Sequence, residues 1–299
     1  MATLKDIQLK IVGVKKTKQI TKAMNMVAAS KLRSAQQKME DFRPYAAKFA
    51  EVLGSLAERA GSGGNPLLVE REEVKTVDII LMTSDRGLCG SFNNNLITQA
   101  KKFAKEKSAE GKQVRFIAAG KKGRDFARKS GLTINSEHIG VVGGRFGFNI
   151  ASTIGVAAID DFLSKATDEV YVVSSEFLSV ARQVANIKKL LPIPTMESEE
   201  EEEAESPATG EYLPEHICEP SAAELMEELL PRNISIQIYS ALLETSASEH
   251  ASRMMAMDNA TTACNDMVNS LTLVYNKARQ AAVTAELMDI VGGAEALKG

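Results

Sequence analysis

Residues 257–279 of this chain read Met257-Asp-Asn-Ala-Thr-Thr-Ala-Cys-Asn-Asp-Met-Val-Asn-Ser-Leu-Thr-Leu-Val-Tyr-Asn-Lys-Ala-Arg279. From Met257 onward, small and apolar residues recur at alternating steps of three and four, which is the spacing of a coiled-coil seam. They are Met257, Ala260, Cys264, Met267, Leu271, Val274, Ala278, Ala281, Ala285 and Met288. Neither Gly nor Pro occurs between Asn233 and Val291. The pattern therefore predicts one uninterrupted helix.

Such a helix is too long for a compact body. At 1.5 Å per residue, residues 233–291 would span about 90 Å. We therefore expect the helix to project and to bury its stripe against a second helix.

A second stripe lies at the other end of the chain. Steps of three and four from Leu4 to Phe42 meet mostly apolar residues, with a polar break at Lys18, Thr21 and Asn25. Around the break, we expect an adjacent stripe to take over, formed by Ile20, Ala23, Met24 and Val27. A chain with a stripe at each end needs no second copy, so we predict an antiparallel coiled coil of the two terminal helices. A homodimeric coiled coil is the alternative.

The middle of the chain has a different pattern. Short apolar runs of strand length occur at 77–83, 114–119 and 170–174, separated by helix-like stretches at about 94–108, 121–130 and 148–165. Residues 132–139 and 183–193 are predicted to complete the sheet. This alternation predicts a mainly parallel, Rossmann-like α/β domain inserted between the terminal helices.

The predicted domain limits follow from these patterns. Residues 1–60 and 223–299 form the coiled-coil shaft, residues 74–195 form the α/β domain, and residues 196–222 form a linker. The linker contains Glu197-Ser-Glu-Glu-Glu-Glu-Glu-Ala-Glu205. Closely spaced like charges repel one another, so we expect a solvated segment there.

Composition excludes several classes of protein. Apolar residues make up 44% and charged residues 25% of the 299 residues, which rules out collagen-like and wholly disordered chains. Cys89, Cys218 and Cys264 form neither an even framework nor a C-x-x-C motif, which predicts a reducing compartment. No apolar stretch reaches the length of a membrane span, and charges interrupt any signal peptide. We expect a soluble intracellular chain that reaches a membrane only through partners.

The motifs of catalysis are mostly missing. There is no P-loop, because Gly120-Lys-Lys-Gly123 is too short and lacks the hydroxyl, and there is no G-x-S-x-G motif. His216 and Cys218 lack further ligands nearby, so we predict no metal site and no cofactor. The loop Ser84–Asn93 could cradle an anion through its N–H groups, but we favour a capped strand-to-helix connection.

Charge and apolarity distinguish the two helix ends. Residues 1–38 carry nine Lys or Arg against one acid, Asp6. Such a basic helix suits nucleic acid, an anionic membrane or an acidic protein; without a nucleic-acid module or stacking aromatics, we favour the protein. The C-terminal segment Gln280–Leu297 has only three charges. An apolar tip of this kind predicts insertion into an apolar collar.

Four stretches resemble the gamma subunits of F-type ATP synthases, and the resemblance runs through the whole chain in order. They are Ile20-Thr-Lys-Ala-Met-Asn-Met-Val-Ala-Ala-Ser-Lys-Leu-Arg33, the Ser84–Asn93 loop, Ala251-Ser-Arg-Met-Met-Ala-Met257, and Leu273-Val-Tyr-Asn-Lys-Ala-Arg-Gln-Ala-Ala-Val-Thr-Ala-Glu-Leu287. The resemblance implies a rotor shaft, one copy per complex, that couples proton flow through a membrane c-ring to ATP synthesis or hydrolysis by an alpha/beta hexamer. The implied partners are alpha, beta, epsilon and the c-ring. The shaft itself would have no catalytic site.

The resemblance also implies roles for single residues. Arg279, Gln280 and Thr284 match positions that engage the beta-subunit catch loop, and Arg253 matches a position of rotor–stator contact. Met24 matches the position facing an acidic beta loop. Lys22 and Arg33 lie nearby, and their positive charges suggest that they assist there. Glu219 matches a position near the c-ring end, whereas Cys218 replaces a common aromatic.

The start of the chain lacks an Arg- and Ser-rich transit peptide, and no close Cys pair provides the thiol control of plastid relatives. We therefore expect a bacterial protein at the cytoplasmic face of the plasma membrane, peripheral to it. Two alternatives remain open at this point: a coiled-coil protein that binds nucleic acid through its basic helix, and an α/β enzyme with helical arms.

Overall fold

The computed structural model describes residues 3–60, 65–144, 146–194 and 221–296. Two long helices flank an α/β segment in the chain. The helices are α1 (Leu4–Ala60), α2 (Phe92–Ala109), α3 (Lys121–Lys129), α4 (Phe148–Leu163) and α5 (Ala222–Ala296). The strands are β1 (Thr76–Met82), β2 (Gln113–Ala119), β3 (Thr133–His138), β4 (Glu169–Phe177) and β5 (Gln183–Leu191).

The five strands form one sheet in the order β3-β2-β1-β4-β5. β1 pairs in parallel with β2 and with β4, and β2 pairs in parallel with β3. Only β5 runs antiparallel, along β4. The alternation of strands and helices in the sequence thus forms the mainly parallel α/β sheet that it predicts, and the predicted fold class is confirmed.

The chain divides into two compact units. The first comprises Met1–Ala29 and Arg253–Gly299, and the second comprises Ser30–Ser252. The division falls within α1, after Ala29, and within α5, after Ser252.

The second unit contains the sheet, with an apolar layer on each face. One layer joins the sheet to α4 and to α5, which contributes Met226, Leu230, Ile234, Ile238 and Leu242 at a spacing of four. The other layer packs α2 against the opposite face through Phe92, Leu96, Ala100 and Ala104. At Gly155, α4 comes so near to α5 that a Cβ atom there would lie 2.9 Å from Ser235 Oγ. Both faces of a mainly parallel sheet are covered in this way, as such sheets require.

The first unit is an antiparallel pair of helices. Asn25 on α1 contacts Met254 on α5, and Thr21, one turn earlier, contacts Thr261. The residue numbers rise on one helix as they fall on the other, which confirms the predicted antiparallel coil.

The α1 stripe is buried as predicted, but the adjacent stripe is exposed except for the half-buried Met24. Leu4, Ile7, Ile11, Val14, Lys18, Thr21, Asn25 and Ala28 are all buried or half-buried. Ile20 is 60% exposed and Val27 is 58% exposed, so the expectation that apolar neighbours replace the polar residues in the seam is wrong. The reason is that Thr21 and Asn25 find hydrogen-bond partners on α5 and can stay buried.

The α5 stripe also needs a correction. Met267 is 53% exposed, Val274 is 50% exposed and Met288 is 70% exposed, and Ala281 and Ala285 are exposed as well. Ala260 of the predicted stripe is half-buried, and from there to Ala282 the other half-buried residues are Thr261, Cys264, Asn265, Val268, Leu271, Tyr275, Ala278 and Ala282. From Met257, the sequence allows two equally regular patterns: steps of three then four, as predicted, or steps of four then three. The residues that face α1 follow the pattern of four then three.

Candidate functional site

The seam between α1 and α5 carries two polar contacts in its middle. Thr21 Oγ1 lies 2.8 Å from Thr261 Oγ1, and Asn25 Nδ2 donates to the Met254 carbonyl at 2.9 Å. Both side chains project from α1 into a seam that is otherwise mostly apolar. Polar contacts of this kind specify the register of a coiled coil, since a displaced pairing leaves them without partners.

Three of the predicted contact residues lie beside these polar contacts. Lys22 and Met24 occupy the same turn of α1 as Thr21 and Asn25, and Arg253 precedes Met254 on α5. Lys22 is exposed, whereas Met24 and Arg253 are half-buried. The structure therefore brings these three residues to one stretch of the coil.

The other three predicted contact residues form a separate group on α5. Arg279, Gln280 and Thr284 are exposed, and the Thr284 hydroxyl donates to the Gln280 carbonyl at 2.9 Å. A straight helix places Arg279 about 40 Å from Arg253 along its axis. The predicted residues thus lie in two separate groups rather than one.

The described C-terminal end of α5 is exposed on all sides. Every residue from Val283 to Glu295 is exposed. Several of them are large and apolar: Val283 at 50%, Leu287 at 56%, Met288 at 70%, Ile290 at 67% and Val291 at 57% exposure. Large exposed apolar side chains grouped in this way are typical of interaction sites.

The basic face of α1 is solvated. Lys5, Lys10, Lys15, Lys16 and Lys22 are exposed. Asp6, the single acid of this segment, is used in a reciprocal cap: Thr3 N–H donates to its Oδ2 at 2.9 Å, and Asp6 N–H donates to Thr3 Oγ1 at 3.3 Å. The backbone hydrogen bond from Thr3 lowers the pKa of this carboxyl. The segment thus presents a positive face to any partner.

The Ser84–Asn93 loop is bonded within itself. Ser84 N–H donates to Asn93 Oδ1 at 3.0 Å, and Asn93 Nδ2 donates to Ser84 Oγ at 2.8 Å. Asp85 accepts from the Lys121 N–H at 2.9 Å and from the Gly140 N–H at 3.0 Å. The Asp85 carboxylate therefore lies at the start of α3, where an external anion could otherwise bind. This arrangement is the strand-to-helix connection favoured from the sequence, but the expected cap is not formed, because Ser91 before α2 makes no capping hydrogen bond with its side chain.

Several predictions concern residues outside the described ranges, namely His216, Cys218, Glu219 and the Glu197–Glu205 run. Within the described ranges, no three or more His, Cys, Asp or Glu side chains come together as a metal site requires. In the same part of the chain, none of the helices combines the length and apolarity needed to cross a membrane.

Sequence reasoning missed Thr261 and the interhelical roles of Thr21 and Asn25. The polar residues in the α1 stripe were a usable signal, because a seam can keep polar residues that pair across it. Thr261 could have been found by counting four residues, rather than three, from Met257 along α5.

Comparison with known proteins identifies the relatives of this chain. A family described as ATP synthase matches residues 3–297. The ATP synthase gamma chain of Desulfosudis oleivorans is 61% identical over 303 residues, covering 100% of both chains. The ATP synthase gamma chain of Desulforapulum autotrophicum is 59% identical over 298 residues, covering 99% of this chain and 100% of the relative.

Solved structures share the fold at lower identity. A chain of the Euglena gracilis mitochondrial ATP synthase (OSCP/F1/c-ring) superimposes with a TM-score of 0.64 at 19% identity, covering 98% of this chain and 94% of that chain. A chain of the Tetrahymena thermophila mitochondrial ATP synthase central stalk and c-ring has a TM-score of 0.60 at 24% identity, covering 81% and 99%.

Proposed function

This chain belongs to the ATP synthase gamma chain family and has the function of the central rotor subunit of that complex, and on this premise we propose how its own residues carry out that function. In our proposal, residues 1–60 and 223–299 form the shaft. Residues 74–195 form the α/β domain, and residues 196–222 form the linker. Rotation of a membrane c-ring turns the shaft inside a hexamer of alpha and beta subunits, and each beta site changes conformation in turn.

The observation that carries this proposal is the end of α5. The apolar surface of residues 283–291 is exposed in the isolated chain, where it has no packing partner among the described residues. Burial of apolar surface stabilises a complex by roughly 25 cal/mol per Å². We propose that the alpha/beta hexamer surrounds this end with an apolar collar.

The two contact surfaces would then have different tasks. Arg279 and Gln280 donate hydrogen bonds to a loop of the beta subunit near the tip, and Thr284 lies one turn further along the same helix. Lys22, Met24 and Arg253 meet an acidic beta-subunit loop about 40 Å away. The basic face of α1 suits that partner, because opposite charges across an interface favour association and fix its orientation.

We further propose that epsilon and the c-ring bind near Glu219, which matches the family position at the c-ring end of the shaft. The chain would lie at the cytoplasmic face of the bacterial plasma membrane, peripheral to it, as one copy per complex.

Catalysis would belong to the partners. The Ser84–Asn93 loop uses its polar groups on itself, and Asp85 lies at the start of α3. We propose that this chain carries out no reaction of its own and binds no cofactor. Nothing in the comparisons supports the nucleic-acid alternative.

The test is ATP hydrolysis by the alpha and beta subunits of the host, reconstituted with and without this chain. We expect the chain alone to be inert, to co-purify at one copy per hexamer and to raise turnover. A chain that neither assembles with the hexamer nor changes its turnover would overturn the proposal.

A further inference from the structure

Strand β4 extends beyond the end of its neighbour β1. The last paired residues are Leu81 on β1 and Val173 on β4, and β1 ends at Met82. β4 continues to Phe177 and still pairs with β5 there, with Ser175 opposite Ala185. On its β1 side, the end of β4 therefore needs other hydrogen-bond partners.

Two hydroxyl groups of α5 supply them. Ser175 N–H donates to Thr245 Oγ1 at 3.1 Å, and Ser248 Oγ donates to the Ser175 carbonyl at 3.3 Å. Thr245 Oγ1 also lies 3.9 Å from Met82 Sδ, at the end of β1. The helix thus takes the place that a longer β1 would fill.

These contacts are buried. Thr245 and Ser248 are each 0% exposed, and Ser175 is 3% exposed. One turn further, Ser252 Oγ donates to Gln183 Oε1 at 2.9 Å, at the start of β5. The steps of three and four from Thr245 to Ser252 place all three hydroxyls on one face of α5.

Other threonines of α5 behave differently. Thr261, Thr272 and Thr284 donate to the carbonyl four residues earlier in their own helix. Thr245 and Ser248 instead reach the backbone of the sheet. A slide or a turn of α5 against β4 would leave both backbone groups of Ser175 buried without partners, which is unfavourable.

We propose that Thr245 and Ser248 are positioning residues that hold α5 in register with β4 and so carry torque between the α/β domain and the shaft helix. This inference rests on the proposed rotor function. The apolar contacts of α5 with the sheet hold the helix by packing, but they are non-directional. The hydrogen bonds of Thr245 and Ser248 to Ser175 are directional, so they fix the position of α5 against β4 more narrowly.

The test compares Thr245→Val with Ser248→Ala, alone and combined, in the complete ATP synthase complex. Thr272→Val is the matched control, because Thr272 is an exposed threonine of the same helix. Thr245→Ser keeps the hydroxyl and should behave as the wild type. One readout is the angular fluctuation of a bead on the c-ring while the hexamer is arrested; the other is protons pumped per ATP hydrolysed.

We expect the double variant to hydrolyse ATP but to show a larger angular variance and fewer protons pumped per ATP. In hydrogen exchange, the Ser175 amide should exchange about tenfold faster. An assembled double variant with wild-type variance and coupling would overturn the inference. If the double variant does not assemble, the single variant Ser248→Ala tests the inference by the same two readouts, because it removes only one oxygen atom.

The wild-type complex separates this inference from the proposed function. A wild-type complex that does not rotate or pump contradicts the rotor proposal itself. A wild-type complex that pumps, beside variants that pump equally well, contradicts only the role of Thr245 and Ser248.

Discussion

Thr21 Oγ1 on α1 lies 2.8 Å from Thr261 Oγ1 on α5, although 240 residues separate them in the chain. Each hydroxyl is also within hydrogen-bond distance of a carbonyl oxygen of its own helix. Thr21 Oγ1 lies 3.1 Å from the Lys18 carbonyl, and Thr261 Oγ1 lies 2.8 Å from the Met257 carbonyl. The two hydroxyl groups have two protons for three possible acceptors: the Lys18 carbonyl, the Met257 carbonyl and the partner hydroxyl. One of these protons can be donated across the seam. The pair sets the register of the coil at the turn where the predicted contact residues Lys22 and Met24 lie.

The first prediction concerns this pair. Thr21→Val should lower the free energy of unfolding by about 1 kcal/mol, because it removes a hydroxyl from a seam position and leaves Thr261 with one partner fewer. Adding Thr261→Val should cost less than a second independent loss, since both changes remove the same bond. Chemical denaturation of the two single variants and the double variant measures the coupling. Thr17→Val, at an exposed hydroxyl of α1, is the control, and strictly additive losses would contradict the pairing.

The second prediction concerns the α5 contact surface. Arg279→Ala with Gln280→Ala should leave the isolated chain folded, with a change in unfolding free energy within about 0.5 kcal/mol, because both side chains are exposed. In the complex, each lost hydrogen bond to the beta subunit should weaken the contact by about 2 kcal/mol, so ATP-driven ion pumping falls. Lys277→Ala removes a charge from an exposed position two residues earlier and should pump normally. Unchanged pumping by the double variant would remove both residues from the contact surface.

The third prediction concerns the ion pair within the sheet. Arg115 binds Asp78 through two contacts of 2.8 Å, and the Asp78 side chain is 0% exposed. Burial raises the pKa of Asp78 despite the hydrogen bonds and the charge of Arg115.

Arg115→Met should therefore destabilise the fold by about 3 kcal/mol at neutral pH, since it leaves a buried carboxylate without its cation. Combining it with Asp78→Asn should recover part of the loss. Arg128→Met, which breaks an exposed pair with Glu137, should cost less than about 1 kcal/mol. Urea denaturation measures the free energy of unfolding of all three variants. Equal losses for Arg115→Met and Arg128→Met would show that burial does not determine the strength of these ion pairs.

The fourth prediction concerns pH. Burial raises the pKa of Glu244, the charge of Glu176 raises it further, and Arg43 and Lys188 oppose the shift. A carboxyl with a raised pKa in the folded state contributes stability that is present below its unfolded pKa and is lost as pH rises through the folded pKa.

Glu244→Gln should therefore make the protein more stable than the wild type at pH 7.5, with the difference shrinking as the pH falls toward the ordinary range of a glutamate. Unfolding free energies at a series of pH values test this. The same difference at every pH would mean that Glu244 has no shifted pKa.

The fifth prediction concerns the acidic run Glu197–Glu205, which lies outside the described residues. Its deletion should leave assembly and turnover unchanged, because like charges repel and favour a solvated linker. Assembly is measured by co-purification with the alpha and beta subunits. Loss of the complex would contradict the linker interpretation.

Much of the fold follows from the sequence because it depends on local periodicity. The five strands and the intervening helices begin and end within a few residues of the predicted positions, since each run is bounded by residues that break it. The contacts of Thr21, Asn25, Thr245 and Ser248 do not follow in this way. Each depends on a partner far away in the chain, and the sequence around a hydroxyl does not name that partner.

The sequence by itself determined that two long helices carry matching stripes, that an α/β sheet lies between them, and that the C-terminal tip is apolar. These features arise from spacing and composition, which act within one element. Only the tertiary structure decided which residues of α5 face α1 and whether polar residues stay in the α1 seam. It also decided which helix supplies the hydrogen-bond partners of Ser175 in β4. Those choices are settled by directional hydrogen bonds between distant elements, because a buried donor or acceptor must find its partner wherever the fold places one.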